Sequence, residues 1–150
     1  RGPNGKMWIE YPEVGGPSTR AKVTFTPKTA TTFRLHSTAV QSGDLKWIAA
    51  SGLEGATRVN IALKENGNYR VKLHFMEPEN LKAGQRVFDV ALQGKTILRD
   101  LDITKEAGGV RRAIIKEFTV VGRDKSLRID LTPQGKKPPV LSGLEWHHKP

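Results

Sequence analysis

Alternation with a period of two constrains this chain more than any other feature. Tyr69, Val71, Leu73 and Phe75 alternate with Arg70, Lys72, His74 and Met76. Val59, Ile61 and Leu63 alternate with Arg58, Asn60 and Ala62, and Leu127, Ile129 and Leu131 alternate with Ser126, Arg128 and Asp130. Successive side chains of a strand point to opposite faces, so each segment reads as a strand with one face buried and one wet. Further strands are expected at 20–26, 32–37, 86–92, 96–99, 112–120 and 140–146. Turn-forming residues punctuate them: Glu65-Asn66-Gly67-Asn68, Gln93-Gly94-Lys95 and Gly122-Arg123-Asp124. No helical stripe is sustained, and 103–108 has room for one turn of helix. Many short strands joined by regular turns predict an all-β fold, an antiparallel β-sandwich of jelly-roll type.

Length bounds the organisation. The 150 residues fit one domain, which is the expectation for 1–150, with 1–6 and 147–150 as loose ends. The first residue is Arg1 rather than Met, which suggests a piece excised from a larger secreted protein. No apolar run approaches the roughly 20 residues of a membrane helix, so no membrane partner is expected. Cysteine is absent, which removes disulfides, thiol nucleophiles and thiolate metal sites together. The net charge of +10 concentrates polyanions near the surface without choosing among them.

Strand counting predicts where function should sit. If each connection reverses the chain, the short turns near 27–31, 64–68, 93–95 and 121–125 fall at one end. The long connections 11–19, 38–56, 76–85, 100–112 and 133–139 then fall at the other. Long loops add little closure entropy and commonly carry function, so a ligand is expected at the elaborated end.

Catalytic motifs are scarce. There is no Gly-x-Ser-x-Gly elbow and no phosphate-binding loop. Gly15-Gly16 and Gly108-Gly109 read as turns. Asp100 and Asp102 would share a face of a strand and resemble a hydrolytic carboxylate pair, but at a strand exit Asp commonly caps backbone N–H groups. No cofactor is expected. Oxygen ligands for a structural calcium are nonetheless available from Asp100, Asp102 and Glu77. His147-His148 reads as tail, and His74, alternating with Arg70 and Lys72, as part of an outward face. That strip has no interleaved aromatic, which counts against nucleic acid as a partner.

Residues 69–102 carry recognisable text. Tyr69-Arg-Val-Lys-Leu-His-Phe-Met-Glu77, Gly84-Gln-Arg-Val-Phe-Asp-Val-Ala-Leu-Gln-Gly94 and Lys95-Thr-Ile-Leu-Arg-Asp-Leu-Asp-Ile103 resemble the malectin family. Leu127-Arg-Ile-Asp-Leu131 and Pro139-Val-Leu-Ser-Gly-Leu-Glu145 look like its closing strands. Residues 1–68 match loosely and look like a bacterial variant. The resemblance implies a galactose-binding-domain-like jelly roll and a non-catalytic role in carbohydrate binding. It also implies an extracellular, cell-surface or periplasmic location. Most of the motif is framework, with Phe75, Val87, Phe88 and Val90 as core. Where the family presents aromatics to glucose rings, this chain has Pro78, Glu79, Asn80 and Leu81, so the family's disaccharide specificity is not carried over.

The residues expected to bind carbohydrate instead are Tyr11 and Trp47 as stacking faces and Glu79, Asn80, Lys82, Arg111, Arg112 and Lys136 as polar contacts. An Arg pair suits a sulfate or carboxylate. Acids and bases nearly balance over the long connections. The positive excess falls on strand faces and the trimmed end, with Lys22, Arg34, Arg58, Arg70, Lys72 and Arg128 as examples. Two sites are therefore open: a neutral glycan in the loops, or an anionic polysaccharide across a basic sheet face. The competing reading is a structural or protein-interaction domain, contacting neighbouring domains of a larger protein and no glycan.

Overall fold

A computed structural model describes residues 7–10, 23–35, 39–40 and 51–149. Its strands are β1 (Met7–Glu10), β2 (Val23–Thr26), β3 (Thr31–Arg34), β4 (Ser51–Glu54), β5 (Arg58–Ala62), β6 (Gly67–Phe75), β7 (Phe88–Leu92), β8 (Lys95–Leu101), β9 (Ile114–Gly122), β10 (Ser126–Pro133), β11 (Val140–Leu141) and β12 (Gly143–Lys149), with one short helix, α1 (Ile103–Ala107). They form a four-stranded sheet in the order β1-β12-β6-β9, a five-stranded sheet β2-β5-β10-β7-β8 and a small sheet β11-β4-β3, with antiparallel pairing throughout. The antiparallel sandwich expected from the alternation is therefore present.

Alternation decides which side chains face the interior. Val71, Leu73 and Phe75 of β6 and Trp146 of β12 meet Val59, Ile61, Phe88, Val90, Leu127, Ile129 and Leu131 of the facing sheet in one buried cluster. Full burial of each large apolar side chain contributes about 1.5–3 kcal/mol. Phe75 and Phe88 sit on opposite sheets with ring centroids 5.9 Å apart and planes tilted by 55°, a geometry aromatic pairs favour. The same parity corrects one expected core residue. Arg86, Phe88 and Val90 share the inward side, so Arg86 is buried while Val87, between them, is only half-buried.

Turn chemistry matches the hairpins. Gln93 and Gly94 have φ of 52° and 80°. Both central residues of the β7–β8 turn thus occupy the left-handed region that tight hairpin connections require. Asp102 is the N-cap of α1 and accepts a hydrogen bond from the Lys105 N–H at 3.2 Å, while Gly108 ends the helix with φ 77°.

One topological expectation fails. The connection 38–56 was expected to contain no strand, yet β4 lies at Ser51–Glu54. An extra strand inverts the counting for everything before it. The 27–30 turn consequently lies at the elaborated end, where the Thr57 N–H donates to the Thr26 carbonyl and Gly55 approaches Ala30 and Pro138. The other short turns do cluster at the trimmed end. There Lys125 N–H donates to Asn66 Oδ1, and Gln93 Nε2 donates to the Val121 and Ser126 carbonyls. β4 was hidden because Ser51-Gly52-Leu53-Glu54 offers a single apolar residue to a period-two test.

His74 is the third correction. It lies on the outward side of β6 but is buried, with Nε2 2.9 Å from Glu145 Oε2 on β12. Burial lowers its pKa below the usual 6.5, and the Lys72 charge acts in the same direction; the Glu145 hydrogen bond and charge oppose both. A neutral ring donates its Nε2–H to the carboxylate. Because the folded-state pKa is depressed, this contribution to stability is complete above 6.5 and is lost as pH falls through the lowered folded value. Urea unfolding between pH 7.5 and pH 5 should show the wild type losing stability more steeply than His74→Gln. Parallel pH profiles would show that His74 does not couple protonation to folding.

Candidate functional site

Three connections and α1 meet at the elaborated end: 76–87, 108–113 and 134–139. Their joints are polar. The Arg111 N–H donates to the Glu77 carbonyl at 3.0 Å, Thr104 Oγ1 to the Leu81 carbonyl at 3.4 Å, and the Gly84 N–H to Asp102 Oδ2 at 2.6 Å. Arg111 has φ 54°, a left-handed turn that sends the chain from Gly109 back into β9.

At the centre is Arg86, 2% exposed, against Glu77, 1% exposed. The guanidinium donates from Nε to Glu77 Oε1 at 2.7 Å and from Nη1 to the Pro138 carbonyl at 2.5 Å. Its Nη2 lies 2.9 Å from Glu54 Oε2 and 3.6 Å from Glu79 Oε2, ion pairs in which that nitrogen makes no aligned hydrogen bond. Glu79 continues the chain of charges to Lys137 Nζ at 3.1 Å. A planar, always-charged fork suits this position, since a buried carboxylate needs both charge and directed donors.

This network settles the fate of the acids. Glu54, Glu77 and Glu79 neutralise buried or half-buried cations, and Asp102 accepts two backbone N–H groups. Glu106 pairs with Lys116 at 2.6 Å. Two of the carboxylates considered for calcium, Glu77 and Asp102, are thus engaged otherwise. Asp100 is exposed at a left-handed φ of 51° and does not share a strand face with Asp102. Among the described residues no group of three or more His, Asp or Glu side chains is placed to hold a metal ion.

The expected contacts distribute unevenly. Glu79, Asn80 and Lys82 lie on 76–87, Arg111 and Arg112 on 108–113, and Lys136 on 134–139, so the structure gathers them at one end. Lys82, Arg112 and Lys136 are exposed and make no ion pair among the described residues, as does Lys105 of α1. Asn80 is exposed too, Arg111 is half-buried, and Glu79 is half-buried and committed to Lys137. Tyr11 and Trp47 lie outside the described residues. Of the acids counted along the long connections, Glu54, Glu77, Glu79 and Asp102 are engaged by Arg86, Lys137 or backbone N–H groups, whereas Asp100 and Glu106 stay exposed, Glu106 paired with Lys116. Glu13 and Asp44 lie outside the described residues.

The alternative surface, one basic sheet face, divides. Arg70 belongs to the outer face of the β6 sheet and pairs with Glu117 at 3.0 Å. Arg58 and Arg128 belong to the outer face of the opposite sheet and share Asp130, at 2.8 and 3.0 Å. Lys22 lies outside the described residues.

Sequence reasoning missed Arg86 and Glu54 as members of the loop-end network. A usable signal existed for Arg86, since two residues before core-facing Phe88 is an inward position and a buried Arg requires carboxylates. For Glu54 there was none, because β4 itself was not visible.

Fold and site together define an antiparallel β-sandwich whose elaborated end presents polar loops on a rigid ionic frame, the form of a binding module. The sequence matches the family described as Malectin domain over residues 22–143, and the chain belongs to that family. Its role is accordingly non-catalytic. A probable leucine-rich-repeat receptor-like serine/threonine-protein kinase of Arabidopsis thaliana is 46% identical over 78 residues, covering 48% of this chain and 8% of the kinase. Receptor-like protein 4 of Arabidopsis thaliana is 34% identical over 88 residues, 57% of this chain and 14% of that protein. The chain thus spans only a small part of the curated relatives it matches. Among solved structures, Bacteroides uniformis β-glucuronidase superposes with a TM-score of 0.74 at 14% identity, over 94% of this chain and 15% of that one. The ANX2 ectodomain from Arabidopsis thaliana gives 0.68 at 16% identity, over 81% and 40%. These likenesses are of fold. No helix among the described residues is long and apolar enough to cross a membrane.

Proposed function

We propose that this domain binds an anionic oligo- or polysaccharide, without transforming it, at the rim of its elaborated end. The observation that carries the reading is the partial sorting of charge there: Lys82, Lys105, Arg112 and Lys136 are exposed and make no ion pair among the described residues, while Glu54, Glu77 and Glu79 are paired with Arg86 or Lys137 and Asp102 with backbone N–H groups. Carboxylate or sulfate groups along a glycan complement such a rim, and Asn80 adds an amide for hydroxyls. Shallow contacts of this kind give micromolar-to-millimolar affinity, with Kd from about 1 μM to 1 mM. The setting we propose is extracellular, in one domain of a larger protein. The bacterial origin suggested by residues 1–68 belongs to the same proposal, although the curated relatives above are plant proteins. If Tyr11 or Trp47 supplies a stacking face, Tyr11→Ala or Trp47→Ala lowers affinity with the fold intact.

A glycan array at two salt concentrations tests the reading, with uronate, sulfated and neutral chains compared. Binding to the charged chains should weaken with salt and fall roughly tenfold or more in Lys82→Ala/Arg112→Ala/Lys136→Ala, with unchanged melting. Salt-insensitive binding to neutral sugars would place recognition on hydroxyl and aromatic contacts instead. Absence of any glycan binding would favour the protein-interaction reading.

A further inference from the structure

Away from the loops, the sandwich has an open seam. β8 is the edge of one sheet and β9 the edge of the other. Between them runs a groove of about 380 Å³ toward the trimmed end. Its apolar floor includes Leu92, Ile97, Phe118 and Val120. Lys95 and Arg123 also line it, no carboxylate does, and neither cation makes an ion pair among the described residues.

The two edges differ. β8 is interrupted by register shifts against β7 and by the positive φ of Asp100, irregularities that blunt an edge against further pairing. β9 pairs with β6 in unbroken register over nine residues. The other outer strands are short: β1, β2 and β3 have four residues each and β11 has two. Near its start β9 is flanked by α1 through the Lys116–Glu106 pair. Among the described residues its second half carries no such cover beyond the Gln93 side chain at the Val121 carbonyl.

Backbone direction follows from one hydrogen bond. Gln93 Nε2 donates to the Val121 carbonyl at 2.9 Å, so that carbonyl points from β9 into the seam. In an antiparallel ladder the N–H and C=O of one residue point the same way and alternate along the strand. Thr119 and Glu117 therefore turn both groups to the seam as well. Val121 adds an exposed apolar side chain at 45% exposure.

We propose that this seam docks an extended acidic segment of a partner protein, which adds to β9 as a further strand. It would place apolar side chains in the groove and carboxylates on Lys95 and Arg123. The Thr119 and Glu117 ladder groups, unpaired among the described residues, lie beside an apolar floor; an added strand uses the first for affinity and the second for specificity. A second copy of this chain is a poor occupant, because edge-to-edge pairing would bring like-charged rims of two +10 molecules together. The proposal is independent of glycan binding, which concerns the opposite end.

The probe is a capped peptide of about eight residues, the length of an ordinary strand, alternating valine and glutamate. Amide chemical shifts should locate it at 117–123, with slowed hydrogen exchange at Thr119 and Glu117. Replacing its glutamates by glutamine, N-methylating alternate residues, or using Lys95→Glu/Arg123→Glu should each weaken binding roughly tenfold or more. Thr119→Pro removes one seam-facing N–H at an edge position where proline is tolerated, and should do the same. The charge-reversal pair decides the matter if that variant does not fold. The proposal is overturned by no shift up to about 1 mM peptide, by equal binding of the glutamine or N-methylated peptides, or by unchanged binding to the folded variants. Self-association at β9 in sedimentation, or a uronate oligosaccharide shifting these amides where the peptide does not, overturns it as well.

Discussion

Arg86→Ala is expected to lower the free energy of unfolding by about 3–5 kcal/mol, the cost of leaving a buried charge without its partner. Glu77 is 1% exposed and takes its charged hydrogen bond from Arg86 Nε; truncation leaves that carboxylate buried and unpaired. The same change removes a donor from the Pro138 carbonyl and a counter-charge from Glu54. Three connected parts of the elaborated end should loosen together, which hydrogen exchange would report as faster exchange over 77–87 and 134–139. The pair Arg86→Met/Glu77→Gln should recover part of the loss, since removing both charges is far less costly than removing one. Urea unfolding of the single and double variants measures this coupling. A loss below about 1 kcal/mol for Arg86→Ala would mean that water replaces the guanidinium and the network is not structural.

Phe75→Ala should cost a comparable amount, about 3–5 kcal/mol, through a different mechanism. The ring is fully buried and packs on Phe88 across the two sheets. Its removal opens a cavity that neither sheet can close without moving the other. Both residues also flank the 76–87 connection, Phe75 two residues before Glu77 and Phe88 two after Arg86, so the variant undermines the ionic frame from below. Phe75→Leu keeps most of the volume and should cost less than about 1.5 kcal/mol. Similar denaturation midpoints for the two variants would show that the site repacks, which the close fit of the core argues against.

The two residues illustrate what is legible in a sequence. Phe75 belongs to a nine-residue alternation whose face is decided locally, because one sheet face must be dry. Asp102 was legible as a cap of backbone N–H groups for a similar reason, since such capping involves near neighbours in the chain; that it caps a helix came from the structure. His74 was not. Its alternation placed it outward correctly, but whether an outward face meets water depends on what the rest of the chain lays over it. Charge sorting at the loop end is of that kind too. A count of acids and bases along the long connections comes out nearly even, whereas in the fold Glu77 and Asp102 are buried and Lys82, Lys105, Arg112 and Lys136 stay exposed.

The sequence by itself determined the sandwich, its hairpin turns, most of its core and the family to which the chain belongs. The first three follow from period-two patterning and from backbone conformations that particular residues favour; the family follows from the resemblance carried by residues 69–103 and 127–145. Only the tertiary structure decided that Arg86 is the hub of the elaborated end, that β4 reverses the strand count, that the basic strand residues lie on two opposed faces, and that β9 leaves an open edge beside a cationic groove. Each of these depends on which distant segments become neighbours. Burial and ion pairing at such junctions come from contacts between residues far apart in the chain, and periodicity along one segment does not encode them.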